Sequence, residues 1–179
     1  MAKLVRKLRL QYKVAYKVYL LDYLLSWLGG FMGIAILGLL NSLIFSSREV
    51  IMLIGSFGAS AILLYGEFKS PLSQPRNLVG GHIVSALVGV TIALLPVSEL
   101  WISAALAVSL ALLIMKLTST THPPGGATAL IAVIGGEKIT SMGYWYVLFP
   151  VGTGAVILLI VAVLLYNISG LRKYPDKWF

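Results

Sequence analysis

The sequence has no cysteine, which excludes a disulfide framework, a thiolate nucleophile and a zinc–sulfur site. Charge is scarce as well: 11% of the 179 residues are Asp, Glu, Lys or Arg, and only six are acidic. A soluble domain carries about 25% charged residues because its surface must be solvated. Here 59% of the residues are hydrophobic and the mean hydropathy is +0.93. A water-soluble globule and a disordered chain are both excluded. The formal charge of +8 does not point to nucleic acid, because six of the 14 Lys and Arg residues fall in the first 17 positions and the others in loops. Nucleic-acid binding needs a basic face on a folded domain. Enzymatic patterns are missing too: no carboxylate pair in a span, no HExxH, no phosphate loop and no nucleophile elbow. No enzyme and no cofactor is expected.

What is present is a series of six windows free of Lys, Arg, Asp and Glu: Tyr23–Ser47, Val50–Gly66, Asn77–Ser98, Leu100–Met115, Leu117–Gly136 and Ile139–Leu171. A spanning helix needs about 20 apolar residues. The first, third and last windows meet that length, and the fourth does so with Trp101 at one interface and Lys116 snorkelling at the other. The second is short and holds Gly55, Gly58 and Gly66, and the fifth has Pro123, Pro124, Gly125 and Gly126 at its middle. These two read as interrupted helices. Residues 1–22 form a basic arm without the apolar core and cleavage site of a secretory signal. It is either an amphipathic helix on an anionic leaflet or a solvated arm, cytoplasmic in both cases. Six crossings put 12 basic residues inside and two, Arg48 and Lys138, outside; a re-entrant fifth window would make it 10 against four. The positive-inside rule favours six crossings, with both termini inside and residues 172–179 as a cytoplasmic tail.

Gly58-Ala59-Ser60-Ala61-Ile62-Leu63 recurs as Gly126-Ala127-Thr128-Ala129-Leu130-Ile131, and each copy is followed by a Gly-Glu pair, Gly66-Glu67 and Gly136-Glu137. Each copy sits in the second segment of a three-segment unit, and odd-numbered units have opposite orientations. The expected fold is therefore an all-α polytopic membrane protein of about six segments in a 3+3 inverted repeat, with halves near 23–98 and 99–171. In such folds, paired interrupted helices mark the binding site near the midplane.

The breaks suggest what that site binds. Unwound backbone at membrane depth is tolerated only where it is buried in protein or lines a cavity. Pro123 and Pro124 suit an extended lead-in and a first helical turn. Gly125 and Gly126 let a ligand approach the backbone, and Thr128 adds a hydroxyl. Gly58, Ala59 and Ser60 offer the same in the other half. Two facing helix N-termini would hold an anion without a buried formal charge; the competing reading is that the glycines serve helix packing alone. His122 is a functional candidate by its position in an uncharged segment, able to donate to an anion or relay a proton. Alternatively it satisfies a backbone carbonyl at the break. His82 either joins the site or sits at the interface, and Arg76 either gathers anions at a cytoplasmic mouth or anchors topology. Asn41 and Asn167 fall at span ends, Thr91 and Ser109 read as packing residues, and Glu67 and Glu137 as caps or interfacial partners.

GSFGAS (Gly55–Ser60), SPLSQPRNLVGGH (Ser70–His82) and THPPGGATAL (Thr121–Leu130) resemble, in order, motifs of the HPP family of integral membrane proteins, named for the run at His122-Pro123-Pro124. The similarity spans residues 15–168. It implies a small membrane protein of a family for which nitrite transport has been proposed in plastids and cyanobacteria, hence a bacterial, cyanobacterial or plastid-envelope membrane. The family is described as having four spanning helices, against four regular and two interrupted segments here. Its members often carry appended regulatory domains, which are not expected in this chain.

The expected function is transport or channelling of a small monovalent inorganic anion, with nitrite the anion that the resemblance implies. The alternative is a non-transporting membrane anchor or sensor. The lipid bilayer is the expected surrounding. A homo-oligomer, most simply a dimer, is expected because six segments leave a thin wall around any cavity and Gly29, Gly30 and Gly33 allow close packing.

Overall fold

Long charge-poor runs become long helices because a helix satisfies every backbone group within one segment. The computed structural model describes residues 2–45 and 51–178, with side chains from residue 20 onward. Arg48 and the side chains of residues 1–19 lie outside the described residues. All regular structure among the described residues is helical: α1 (Ala2–Ile44), α2 (Gly55–Gly66), α3 (Pro75–Ala93), α4 (Leu100–Leu117), α5 (Pro123–Ile134), the short α6 (Glu137–Thr140) and α7 (Thr153–Ser169). A single turn, Pro71–Ser73, precedes α3, and a wide turn, Val147–Gly152, leads into α7.

Four stretches are long and apolar enough to cross a membrane: Leu20–Ile44, Pro75–Ala93, Leu100–Leu117 and Val147–Ser169. Two more, α2 and α5, are apolar but have only 12 residues each. At 1.5 Å per residue that is about 18 Å, well short of a hydrocarbon core of about 30 Å. Both are entered through extended backbone, at Ile54 (φ −67°, ψ 143°) and His122 (φ −139°, ψ 102°). Pro123 and Pro124 occupy the first positions of α5, where a missing N–H costs nothing. The last charge-free window is not one helix. Its chain bends at Phe149 (φ −141°, ψ 120°), next to Pro150, which cannot donate to the preceding turn.

Contacts set the helix directions. Gly29 and Gly33 of α1 pack on Tyr65 near the end of α2, while Asn41 Oδ1 accepts the N–H groups of Ile51 and Met52 just before α2 begins, both at 2.9 Å. The two helices are antiparallel. Ser73 Oγ, ahead of α3, lies 3.0 and 2.8 Å from the Leu63 and Glu67 carbonyls at the end of α2, so α3 runs back. Along α3, Gly81 abuts His122 and Gly89 abuts Ala129 and Ala132; α3 and α5 are parallel. Arg76 donates to the Thr118 carbonyl after α4, which makes α4 antiparallel to both. The two sequence halves thus interleave: α3, α4 and α5 all pack against one another, and α1 packs with α2 and α7.

One end of this bundle holds the ends of α2, α4 and α7, the turn at Pro71–Ser73 and the chain tail. We call it the tail end. Trp27, Trp101 and Trp145 are 66–70% exposed, as are many Leu and Ile side chains. An apolar exterior with indoles on it fits a lipid surrounding rather than water.

Candidate functional site

At the centre of the bundle four polar side chains, all with zero exposure, meet: Ser60 of α2, His82 of α3, and His122 and Thr128 of the α5 segment. Ser60 Oγ lies 2.7 Å from His82 Nε2 and 2.8 Å from His122 Nε2. His82 Nδ1 lies 2.7 Å from Thr128 Oγ1, and His122 Nδ1 lies 2.8 Å from the Leu72 carbonyl. The imidazole centroids are 5.0 Å apart, and the Phe57 ring stands edge-on to His82 at 5.3 Å.

The carbonyl end orients every proton in the chain. The Leu72 oxygen can only accept, so His122 Nδ1 carries a hydrogen. In a neutral ring Nε2 then accepts, and its donor is the Ser60 hydroxyl. Ser60 Oγ in turn accepts from His82 Nε2–H, which leaves His82 Nδ1 to accept from the Thr128 hydroxyl. With both imidazoles neutral, this gives a one-way chain, Thr128 to His82 to Ser60 to His122 to Leu72, and all four ring nitrogens have partners. A buried polar network is stable in this way only when every member is satisfied.

Local sequence explains how these groups converge. Ser60 and Thr128 each occupy the sixth position of a 12-residue helix. Because α2 and α5 run antiparallel past His82, that one ring reaches both hydroxyls. A Cβ on Gly81 would lie 2.5 Å from His122 Cβ, and one on Gly125 would lie 2.6 Å from Ser85 Oγ. The missing side chains let the break lie directly on α3. Asn77 Nδ2 donates to the Thr121 carbonyl and Arg76 Nη2 to the Thr118 carbonyl, both at 2.8 Å, which pins the break from its outer side.

The expected site residues therefore divide. Ser60, His82, His122 and Thr128 are brought together. His82 is central rather than interfacial, and His122 bonds a backbone carbonyl through one nitrogen and the cluster through the other. Gly58 and Ala59 face away, with Gly58 lining an outer groove beside Trp27, Gly30 and Ile62. Pro123 is exposed; Pro124 and Gly125 are buried in packing. Gly126 faces α4, where an added Cβ would meet only Val108, at 3.9 Å. Arg76 is exposed and lines a cavity of about 250 Å³ with Lys69, Asn77, Lys177 and Trp178. The two half-helix N-termini do not face each other. Antiparallel helices that meet at their sixth residues point their N-termini to opposite sides of the cluster. Charge-free windows do not show where the helix begins in one segment relative to the other.

Other residues proved structural where a sequence cannot show it. Asn41 ties down the lead-in to α2, and Thr91 lies 3.0 Å from the Tyr144 hydroxyl, while Ser109 bonds only its own helix. Gly29 and Gly33 are filled by Tyr65 within the same chain, and only Gly30 is open. Arg172, one of the basic residues counted for topology, is buried against Asp22. Among the described residues no third His, Cys, Asp or Glu joins the two imidazoles in a metal-binding group.

The fold and this cluster define a polytopic helical membrane protein with an uncharged polar centre. The chain belongs to the HPP transmembrane family, whose description, "HPP, transmembrane region", matches residues 15–175. A protein of Dictyostelium discoideum described only as a transmembrane protein is 47% identical over 155 residues, covering 85% of this chain and 50% of that one. A second from the same organism is 42% identical over 155 residues, covering 85% and 54%. The chain thus spans about half the length of the curated relatives it matches, and their origin lends no support to a bacterial setting. No solved structure matches.

Proposed function

We propose that this protein carries a small monovalent anion across the membrane, with nitrite as the anion that the family resemblance suggests, and that the Ser60–His82–His122–Thr128 chain is the selecting element. The observation that carries this reading is a fully buried, uncharged hydrogen-bond chain where two half-length helices pass each other inside apolar spans. Polar groups in a membrane interior cost free energy, face the bundle interior and mark ion or substrate pathways. The cluster holds hydroxyl and imidazole groups and no carboxylate, so no buried negative charge would repel an anion there. The antiparallel α2 and α5, with matching hydroxyls, support a 3+3 inverted repeat in which both half-length segments complete a crossing. Described basic residues gather at the tail end, where Lys69, Arg76, Lys116, Arg172, Lys173 and Lys177 lie against Lys138 at the other, which supports a cytoplasmic tail end. A homodimer belongs to the same reading, through the open face around Gly30 and Gly58; crosslinking in nanodiscs reads it.

Proteoliposomes holding the pure protein should swell or take up anion in iso-osmotic nitrite faster than empty vesicles, and Ser60→Ala should abolish the gain. Equal rates with and without wild-type protein would falsify transport. That outcome would favour the second reading, a non-transporting membrane module. The complete internal satisfaction of both imidazoles is the observation on its side.

A further inference from the structure

Among the described residues one buried polar side-chain atom has no hydrogen-bond partner. Ser56 has zero exposure, and its hydroxyl has no hydrogen-bond partner. Buried polar groups are nearly always paired, and an orphan marks strain, function or a missing water or ion. Ser56 is the second residue of α2, whose first N–H groups have no acceptor within the helix. Cα–Cβ bonds in a helix tilt toward its N-terminus, so the Ser56 side chain starts from its backbone toward that same end of α2. It also precedes Ser60 by four residues, which places it on the same face of α2, one turn beyond the central cluster.

Depth sharpens the point. The end of α2 lies at the tail end of the bundle, so Ser56 stands about 15 Å from that end, inside the apolar bundle and beyond the central cluster. Free N–H groups at that depth must line a cavity or touch protein. Gly55, the first residue of the helix, is exposed, and an added Cβ there would meet nothing within 4 Å.

We infer that the first turn of α2 is a second anion-coordinating point, where the Gly55 and Ser56 N–H groups and the Ser56 hydroxyl hold a small monovalent oxyanion one helical turn from Ser60. This rests on the transport reading, and it adds a stage on the far side of the cluster from the tail. The N–H groups supply fixed dipoles, and glycine keeps the approach open.

The test uses the full chain in nanodiscs, with sodium nitrite and sodium nitrate as probes. Added nitrite should shift the backbone amide signals of Gly55 and Ser56 saturably. Ser56→Ala should weaken that binding about tenfold or more, the size expected for losing a hydrogen bond to a charged acceptor, while Ser56→Thr retains it. Without anion, Ser56→Ala should be at least as heat-stable as the wild type, because it removes an unsatisfied group. Unchanged nitrite affinity in folded Ser56→Ala overturns the site, and the transport reading stands if that variant still moves nitrite. Saturable amide shifts in a protein with no nitrite flux sustain the site and sink transport instead. Amide signals that respond to protomer dissociation but not to anion would assign this turn to a second copy and overturn the inference.

Discussion

Each member of the central chain strands a different number of neighbours when removed. Ser60→Ala leaves two buried groups unpaired, the His82 N–H and the His122 acceptor nitrogen. Thr128→Val leaves one, the His82 acceptor. A stranded buried group costs about 1–3 kcal/mol, toward the low end in a membrane where the unfolded chain also finds partners. Ser60→Ala is therefore expected to destabilise more than Thr128→Val by roughly the worth of one stranded group, as read by denaturation in mild detergent. Equal losses would show that the proton order along the chain is wrong. His122→Gln is a sharper substitution, because an amide can keep the Leu72 contact through its NH₂ while its oxygen accepts from Ser60. It should fold well, and any loss of nitrite flux then reports the imidazole itself.

At the scale of the element, the two adjacent glycines of α5 behave differently although they look alike in sequence. A Cβ at Gly125 would come within 2.6 Å of Ser85 Oγ and 3.0 Å of the Gly81 carbonyl, so α5 would have to lift from α3. Overpacking of this kind costs about 1–3 kcal/mol. Gly126 has room, and Gly→Ala in a helix gains up to about 1 kcal/mol. Gly125→Ala should lower thermal stability and Gly126→Ala should preserve or raise it; the reverse order would mean α5 is rotated from its place here. Spacing alone leaves both glycines open to either role, an approach for a ligand or a packing contact, because it cannot tell a packing face from an open one. The same limit hid the role of His82. Its span was legible from the missing charges, but its depth depends on α2 and α5 crossing beside it. Charge-free windows and the Gly and Pro breaks were enough to find α3, α4 and both half-length helices. They did not reveal the bend at Phe149, where a window of uniform hydropathy conceals two elements.

At the scale of the whole molecule, one side chain closes the tail end. Arg172 Nε donates to Asp22 Oδ1 at 2.5 Å, Nη2 to the Asp22 carbonyl and to Ser26 Oγ, and Nη1 to the Tyr65 carbonyl. Its guanidinium lies over the Phe68 and Tyr166 rings, 4.4 and 4.8 Å from their centroids. The chain beyond it then crosses the turn before α3: the Tyr174 hydroxyl donates to the Ser73 carbonyl at 2.6 Å, and Gln74 Oε1 accepts from the Asp176 N–H at 3.0 Å. Burial and the neighbouring Tyr166 hold the Tyr174 phenol above its ordinary range, so that donor persists at any physiological pH. The turn it covers includes Leu72, whose carbonyl orients the central proton chain. No local spacing links Asp22 to Arg172, 150 residues apart, so the pairing is invisible before folding. Arg172→Lys keeps the charge but loses the planar fork and the ring stacking that fit this site. It should therefore release the tail almost as fully as Arg172→Ala, with faster hydrogen exchange at the Tyr174 and Asp176 amides. If the lysine variant instead protects those amides like the wild type, charge alone holds the tail. Should the arginine act through the turn, both variants will also speed exchange of the Ser73 and Gln74 amides, because the tail that braces Leu72 will have left.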